Sequence, residues 1–413
     1  MEEAFILQVS LEIGLGGGSE CVAYELQRAW LALGHDARVF ASLATEPDRQ
    51  GVTYVAPWLT AWGMRARWRH LAALIAVPLF TLIASWRAYR ARGTKVILSH
   101  GDSLIGDVCV VHAVNRASLV EKRRAGYYGW LLNPSNLWVT WRDWWMLRGG
   151  RYRRIVAISE RVRAQLKEHY NVPEDRIVTI PNGINLSRFD PSNVSARKAV
   201  RAHFNIPEDA ALVLFVGSQY RLKGLEFAIR AMAELKTQAY LLVVGGDSIA
   251  PFKRLAEQLG VADRVIFAGA RSDLPSIYPA ADAFVLPTLY ETFALVCIEA
   301  MASGLPVLAC PVGGIEDYLR DGDNGLHIRR EAGDIAAKLD RVLGDPQLRK
   351  RLSDNGLATA KNYAWNKIAK QYLALFDEVL AEKARHLPGS TIAKTSVSTQ
   401  SEGWLQPQHE RAK

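Results

Sequence analysis

Two glutamates eight residues apart, Glu291 and Glu299, are the side chains whose type and spacing point most directly to chemistry. They lie in Tyr290-Glu291-Thr292-Phe293-Ala294-Leu295-Val296-Cys297-Ile298-Glu299, shortly after the apolar run Ala283 to Leu286. The run reads as a strand and the segment beyond it as a helix starting near Phe293. Glu291 then falls on a strand-to-helix loop, and Glu299 about two turns along the helix. The first-turn N–H groups of such a helix have no internal partners. They form a ready site for an anion such as a diphosphate. Glu299 has apolar neighbours and needs hydrogen-bond donors if it is buried. A ribose diol supplies two; backbone or an arginine of the fold is the plainer alternative.

A second cluster is Phe215-Val216-Gly217-Ser218-Gln219-Tyr220-Arg221-Leu222-Lys223-Gly224. Gly217 follows a strand pattern, where a missing side chain lets backbone approach a ligand. Arg221 and Lys223 stand just before a helix start and can neutralise a diphosphate leaving group as a metal would. Two solvated loop charges are the competing reading. Near the start, Gly14-Leu15-Gly16-Gly17-Gly18-Ser19-Glu20 resembles a dinucleotide loop but lacks the acidic residue expected at the end of the next strand.

These residues need a scaffold, and the hydrophobic pattern describes one. Short apolar runs alternate with helical patterns, the signature of parallel α/β units. Predicted strands are Phe5 to Val9, Ala37 to Ala41, Val96 to Leu98, Val108 to Val111 and Ile155 to Ile158. A second series runs Leu212 to Val216, Tyr240 to Val244, Val265 to Ala268, Ala283 to Leu286 and Val307 to Cys310. Pro181-Asn182-Gly183-Ile184-Asn185 is turn chemistry, and the polar stretch to Lys198 reads as a linker. Two α/β halves joined once imply a cleft, with ligands at the strand carboxyl ends. The expected divisions are one α/β domain over 1–182, a second over 183–364, a helix over 365–385 and a disordered polar tail over 386–413.

The 413 residues carry 49% hydrophobic and 23% charged residues, which excludes a mainly disordered chain and a coiled coil. Four cysteines with no C-x-x-C pair argue against a disulfide framework or zinc ribbon and for a reducing compartment. The acidic start lacks the basic leader of a signal peptide. Net charge is +9, of which +7 falls in residues 1–182 together with ten of the 12 tryptophans. No acidic residue lies between Asp48 and Asp102, while Arg65, Arg67, Arg69, Arg87, Arg90, Arg92 and Lys95 flank the apolar run Leu71 to Trp86. That run is short for a spanning helix and contains Pro78. It reads as a buried helical hairpin or as a surface seated on anionic lipid. The segment Trp138 to Met146, with Arg148, Arg151, Arg153 and Arg154 after it, favours the lipid surface. No nucleic-acid module is recognisable.

Taken together, these motifs resemble the retaining, nucleotide-sugar-dependent GT-B glycosyltransferases of glycosyltransferase family 4 (glycosyl transferases group 1). The resemblance rests on the Glu291/Glu299 pair, Pro181-Asn182-Gly183-Ile184, Lys223-Gly224, and Leu274 with Tyr278 before Ala281-Asp282-Ala283-Phe284-Val285-Leu286-Pro287, and extends to about Leu380. It implies two Rossmann-like domains facing each other across a cleft, the first (1–182) binding the acceptor and the second (183–364) the nucleotide sugar, with the helix 365–385 crossing back to the first. Glu299 would accept the ribose hydroxyls and Glu291 would contact the donor sugar. The amides of Phe293, Ala294, Leu295 and Val296, with Lys223, would hold the diphosphate. Gly16 and Gly17 would pack on the phosphates from across the cleft. The family often has arginine where Ser218 stands, so Arg221, or an arginine elsewhere, is the expected substitute. The segment after Glu291, usually glycine-rich, reads Thr292-Phe293-Ala294. A first-lobe histidine near the sugar would be His112, with His100 the runner-up.

The implied reaction is a metal-independent, retaining hexosyl transfer from a UDP-, GDP- or ADP-sugar, with no cofactor. The departing phosphate helps to deprotonate the attacking hydroxyl. The basic, tryptophan-rich first half points to a glycolipid or saccharide acceptor, such as a lipopolysaccharide core or lipid-linked saccharide. The expected location is cytoplasmic, peripheral on the inner face of the cytoplasmic membrane, with no nucleic-acid partner. Alternatives are a two-domain nucleotide- or sugar-binding protein without transferase activity, an inactive transferase subunit, and an NAD(P)-dependent oxidoreductase.

Overall fold

The computed structural model describes residues 5–385 apart from Gly17, Pro47, 60–68, Arg92, Ala125, Tyr127 and 129–134. The expectations for Gly17, Arg65, Arg67, Arg92 and the tail from 386 fall outside the described residues.

The first half forms a parallel sheet ordered Val52–Tyr54, Ala37–Ala41, Phe5–Val9, Thr94–Ser99, Val108–Val111, Arg154–Ala157 and Ile177–Thr179. The second forms a parallel sheet ordered Val265–Gly269, Ala239–Val244, Ala211–Val216, Ala283–Leu286, Val307–Ala309 and Leu326–His327. Central strands such as Phe5–Val9 and Ala283–Leu286 are buried along their whole length. This is what a parallel strand covered by helices on both faces requires. The edge strands Val52–Tyr54, Ile177–Thr179 and Leu326–His327 carry no pattern long enough to read from sequence.

The stretch expected as a polar linker is folded. A 3-10 segment Pro191–Ala196 leads into the helix Arg197–His203. Arg197 and Arg201 both bond the carboxylate of Asp282, at 2.7 and 2.9 Å. The same carboxylate accepts the Leu212 N–H at 2.8 Å. Asp282 therefore clamps the linker helix to two neighbouring strands of the second sheet.

The helix Trp365–Arg385 lies on the first half. Trp30 of the helix Gly18–Ala32 donates its indole N–H to the Ala369 carbonyl at 3.1 Å and packs on Tyr372 and Phe376. Lys383 reaches Asp107 at 3.0 Å, and Arg154 pairs with Glu382.

The apolar run, read either as a buried helical hairpin or as a lipid-seated surface, is one helix, Arg69–Arg90, passing through Pro78. Ala76, Phe80, Ala84 and Ala88 are buried, while Ile75, Leu79, Leu82, Trp86 and Tyr89 are exposed. Each set recurs at helical spacing, so one face is core and the other is an apolar stripe on the surface. No helix among the described residues is long and apolar enough to cross a membrane.

Candidate functional site

A cleft of about 320 Å³ is walled by the carboxyl-end loops of both sheets. The first half contributes Gly18, Ser19, His112 and Ile158, and the junction contributes Asn182. The second half contributes Gly217, Ser218, Lys223, Glu291 and the turn from Thr292 to Val296. Of the residues singled out from sequence, the structure thus gathers His112, Gly217, Lys223, Glu291, Phe293, Ala294, Leu295 and Val296 in one place.

Glu291 and Lys223, 68 residues apart, form an ion pair with Nζ 2.5 Å from Oε1. Glu291 is 8% exposed, and a carboxylate so buried requires a partner of this kind. Backbone contacts set the pair. The Leu289 N–H donates to the Leu222 carbonyl at 2.9 Å, tying the glutamate loop to the lysine turn. Gly313 supports the loop from behind, with φ +63. A Cβ on Gly313 would lie 1.9 Å from the Glu291 carbonyl oxygen, so only glycine allows this approach.

The turn after Glu291 leads into the helix Leu295–Ala302, so Glu299 sits just over one turn in, nearer the helix start than its spacing implied. Ala294, the residue before the helix, has φ 59, a left-handed conformation that costs a non-glycine residue about 1–2 kcal/mol. Gln219, on the loop after Gly217, has φ 55. Strain of this kind persists where surrounding contacts over-determine the backbone. Here the Tyr318 hydroxyl donates to the Phe293 and Ala294 carbonyls at 3.0 and 3.1 Å, and the buried Phe293 ring packs on Tyr318 and Tyr363. Where the family pattern is usually glycine-rich, a braced alanine thus takes the left-handed position ahead of the helix that lines the cleft.

Glu299 lines an adjoining chamber of about 180 Å³, which shares Gly18, Leu295 and Val296 with the cleft. The Tyr278 hydroxyl donates to its Oε2 at 2.8 Å. Burial raises the Glu299 carboxyl above its ordinary range, and the Tyr278 bond and the Arg188 charge oppose that rise. Arg188, Arg271, Leu274 and Gly16 also line this chamber. Gly16 is at its mouth, where a Cβ would meet nothing within 4 Å.

A third chamber of about 240 Å³ lies on the first-half side, lined by His100, His112, Asn115, Arg142 and Asp143. His112 belongs to both this chamber and the cleft. Burial pushes its imidazole down to about 4, so the ring is neutral near pH 7. His100 lies behind it, 3.0 Å away.

Arg221 is an expectation to correct. It is exposed and lines neither the cleft nor the Glu299 chamber. In the short helix Tyr220–Lys223 it points outward while Lys223, two residues on, points in. Asn182, which the sequence marks as turn chemistry and as part of the Pro-Asn-Gly-Ile motif but not as a site residue, is 5% exposed on the cleft wall, and its Oδ1 has no partner among the described residues. Nothing in a Pro-Asn-Gly string separates a turn asparagine from one lining a site. Gly313-Gly314 carried no chemistry to notice, because its role is to make room.

Gly313→Ala is expected to lower stability by about 2–4 kcal/mol, from left-handed strain and the collision with Glu291. Urea denaturation measures it; a wild-type midpoint would show that the loop is not set by this contact.

Comparison with known proteins agrees with this geometry. Residues 16–188 match the family model Glycosyltransferase Family 4, and residues 196–359 match Glycosyl transferases group 1. A D-inositol 3-phosphate glycosyltransferase of Nocardia farcinica is 36% identical over 243 residues, 55% of this chain and 53% of that protein. The chain spans about half the length of the curated relatives it matches. Among solved structures, WaaG, a glycosyltransferase involved in lipopolysaccharide biosynthesis, superposes with a TM-score of 0.74 at 22% identity, over 90% of this chain and 99% of WaaG. Sucrose-phosphate synthase from Thermosynechococcus elongatus gives 0.73 at 25% identity, over 92% and 100%. The likeness to WaaG is one of fold. With family models matching both halves and two facing parallel-sheet domains in common with these neighbours, the chain belongs to the GT-B glycosyltransferases of family 4, glycosyl transferases group 1.

Proposed function

We propose that this protein transfers a sugar from a nucleoside diphosphate sugar to a hydroxyl of a membrane-associated glycolipid or saccharide, with retention at the anomeric carbon. One observation carries the reading: the ammonium of Lys223, the carboxylate of Glu291 and the open end of the helix Leu295–Ala302 meet in one cleft, with Glu299 in the chamber next to it. The diphosphate lies against the amides of Ala294, Leu295 and Val296, where the helix dipole favours negative charge. The ribose reaches Glu299 and the sugar lies beside Glu291 and His112. As the glycosidic bond breaks, charge builds on the departing phosphate. Lys223 shifts from Glu291 toward that charge, and the fixed amides stabilise it without reorganising. The phosphate oxygen takes the proton of the attacking hydroxyl on the same face. Positive charge at the leaving group comes from Lys223 and the helix, so the reaction proceeds without a metal ion.

The acceptor side of the reading is supported by two surface stripes. The helix Ser135–Arg148 packs against the helix Arg69–Arg90. It exposes Leu137, Trp141, Trp144 and Trp145, and the helix Arg69–Arg90 exposes Ile75, Leu79, Leu82, Trp86 and Tyr89. Arg90 lies over the Trp86 ring and Arg151 over Trp145, at 5.0 and 3.6 Å. Aromatic and basic residues interleaved in this way suit the interface of an anionic bilayer. The opposite face of Ser135–Arg148 lines the chamber that ends at His112. A lipid-borne acceptor on that surface is one helix thickness from the cleft. The protein then works on the inner face of the cytoplasmic membrane.

Screening UDP-, GDP- and ADP-sugars for thermal stabilisation, then for transfer or hydrolysis, tests the reading. One of them is expected to bind and turn over, with activity retained in EDTA. Lys223→Ala is expected to lower kcat by about 30- to 1,000-fold, or about 2–4 kcal/mol. A normal rate in that variant rejects the assigned role. Flotation with anionic liposomes is expected to retain the protein at low salt and release it at high salt. Trp141→Ser combined with Trp144→Ser is expected to weaken retention, and flotation indifferent to both salt and substitution contradicts the membrane assignment.

A further inference from the structure

The buried polar groups behind His112 form a chain in which every hydrogen bond has a forced direction. Gln8, the fourth of the five residues of the strand Phe5–Val9, is fully buried. Its Nε2 is 3.1 Å from the Ala23 carbonyl oxygen, which can only accept. The amide is therefore oriented with nitrogen toward Ala23 and oxygen toward His100, whose Nε2 lies 2.7 Å from Gln8 Oε1. An amide oxygen cannot donate, so His100 Nε2 carries the proton. Burial, and then the neighbouring His112, hold His100 well below the usual imidazole range. The ring is neutral, and its Nδ1 is a lone pair. His112 Nε2, 3.0 Å from that lone pair, must donate to it. That leaves His112 Nδ1 as an acceptor. It has no partner among the described residues, yet it is not among the buried side-chain atoms left without one, so it is open to the space that His112 lines, the cleft and the chamber beside it.

We infer that Gln8 and His100 are positioning residues that lock His112 in its Nε2–H tautomer, so that its Nδ1 accepts a hydroxyl of the bound sugar. The inference rests on the proposed donor site for the identity of the hydroxyl, but not for the tautomer. His112 then acts neither as a cation nor as an acid. It is a neutral acceptor in a cleft that also holds the Glu291 carboxylate, Asn182 Oδ1, the Lys223 ammonium and the hydroxyls of Ser19, Ser218 and Thr292. A sugar lacking a hydroxyl at that position leaves Nδ1 without its bond.

Long-range proton–nitrogen correlation spectra of the full chain labelled with 15N-histidine decide the tautomer without any substrate. His112 is assigned from the signals lost in His112→Gln. The expected spectrum has a pyrrole-like Nε2 and a pyridine-like Nδ1. Gln8→Met and His100→Phe each remove the directing bond and are expected to average the two His112 shifts. In the same variants kcat/KM with the sugar nucleotide found by screening is expected to fall about 3- to 10-fold, the value of one neutral hydrogen bond. Affinity for the bare nucleoside diphosphate is expected not to change. A proton on Nδ1 in the wild type overturns the inference whether or not either variant folds. So do His112 shifts that neither variant moves, or a kcat/KM untouched by averaged shifts. If the tautomer is as inferred but no nucleotide binds, the donor site fails and the relay stands.

Discussion

An ammonium and a carboxylate 2.5 Å apart, drawn from loops on adjacent strands, form the contact on which the rest of this structure depends. Neither group tolerates burial alone. Together they fix how the loop after Ala211–Val216 meets the loop after Ala283–Leu286. The surroundings serve that contact. Gly224, with φ 77, lets the lysine turn close on the Pro287 carbonyl. Gly313 lets the next loop pass under Glu291. Tyr318 holds the strained backbone at Ala294. The result is a cation, an anion and a row of helix amides, set in place before any ligand arrives.

Function requires this half-site to be closed from the other side, and the connections between the halves show how. Asn185 in the junction donates to both carboxylate oxygens of Glu25, on the helix Gly18–Ala32. The C-terminal helix begins beside the junction, where the Ile184 N–H donates to the Tyr363 carbonyl at 2.7 Å, and then runs across the first half. The lobes are thus joined at a pivot near Ile184 and strapped by one long helix. Such an arrangement permits closure around donor and acceptor and the exclusion of water.

The sequence made the parallel architecture legible because buried central strands are continuous apolar runs bounded by turns. It showed Glu291 and Lys223 because charges beside strand ends stand out, and Glu299 because a carboxylate among apolar helix residues does. It did not show that Lys223 and Glu291 pair, since that depends on strand order rather than spacing. Arg221 and Lys223 looked equivalent on the page; a single turn of helix aims one outward and the other inward. Gln8 gave no signal as one polar residue in an apolar strand, and neither did the direction of the His100–His112 bond. The helix Pro346–Ala360 was missed because its polar surface face and interior Gly356 obscure the period. Of the two readings of 71–86 the hairpin does not hold, because the chain continues through Pro78 as a single helix.

The central claim is that Lys223 and the amides opening the helix Leu295–Ala302 together hold a diphosphate beside Glu291. A crystal structure with a bound nucleoside diphosphate tests it most directly. The account predicts the distal phosphate within hydrogen-bond reach of the Leu295 and Val296 N–H groups and of Lys223 Nζ, with the ribose on Glu299. A nucleotide bound elsewhere, or one whose phosphates face solvent while Lys223 stays on Glu291 alone, would contradict it.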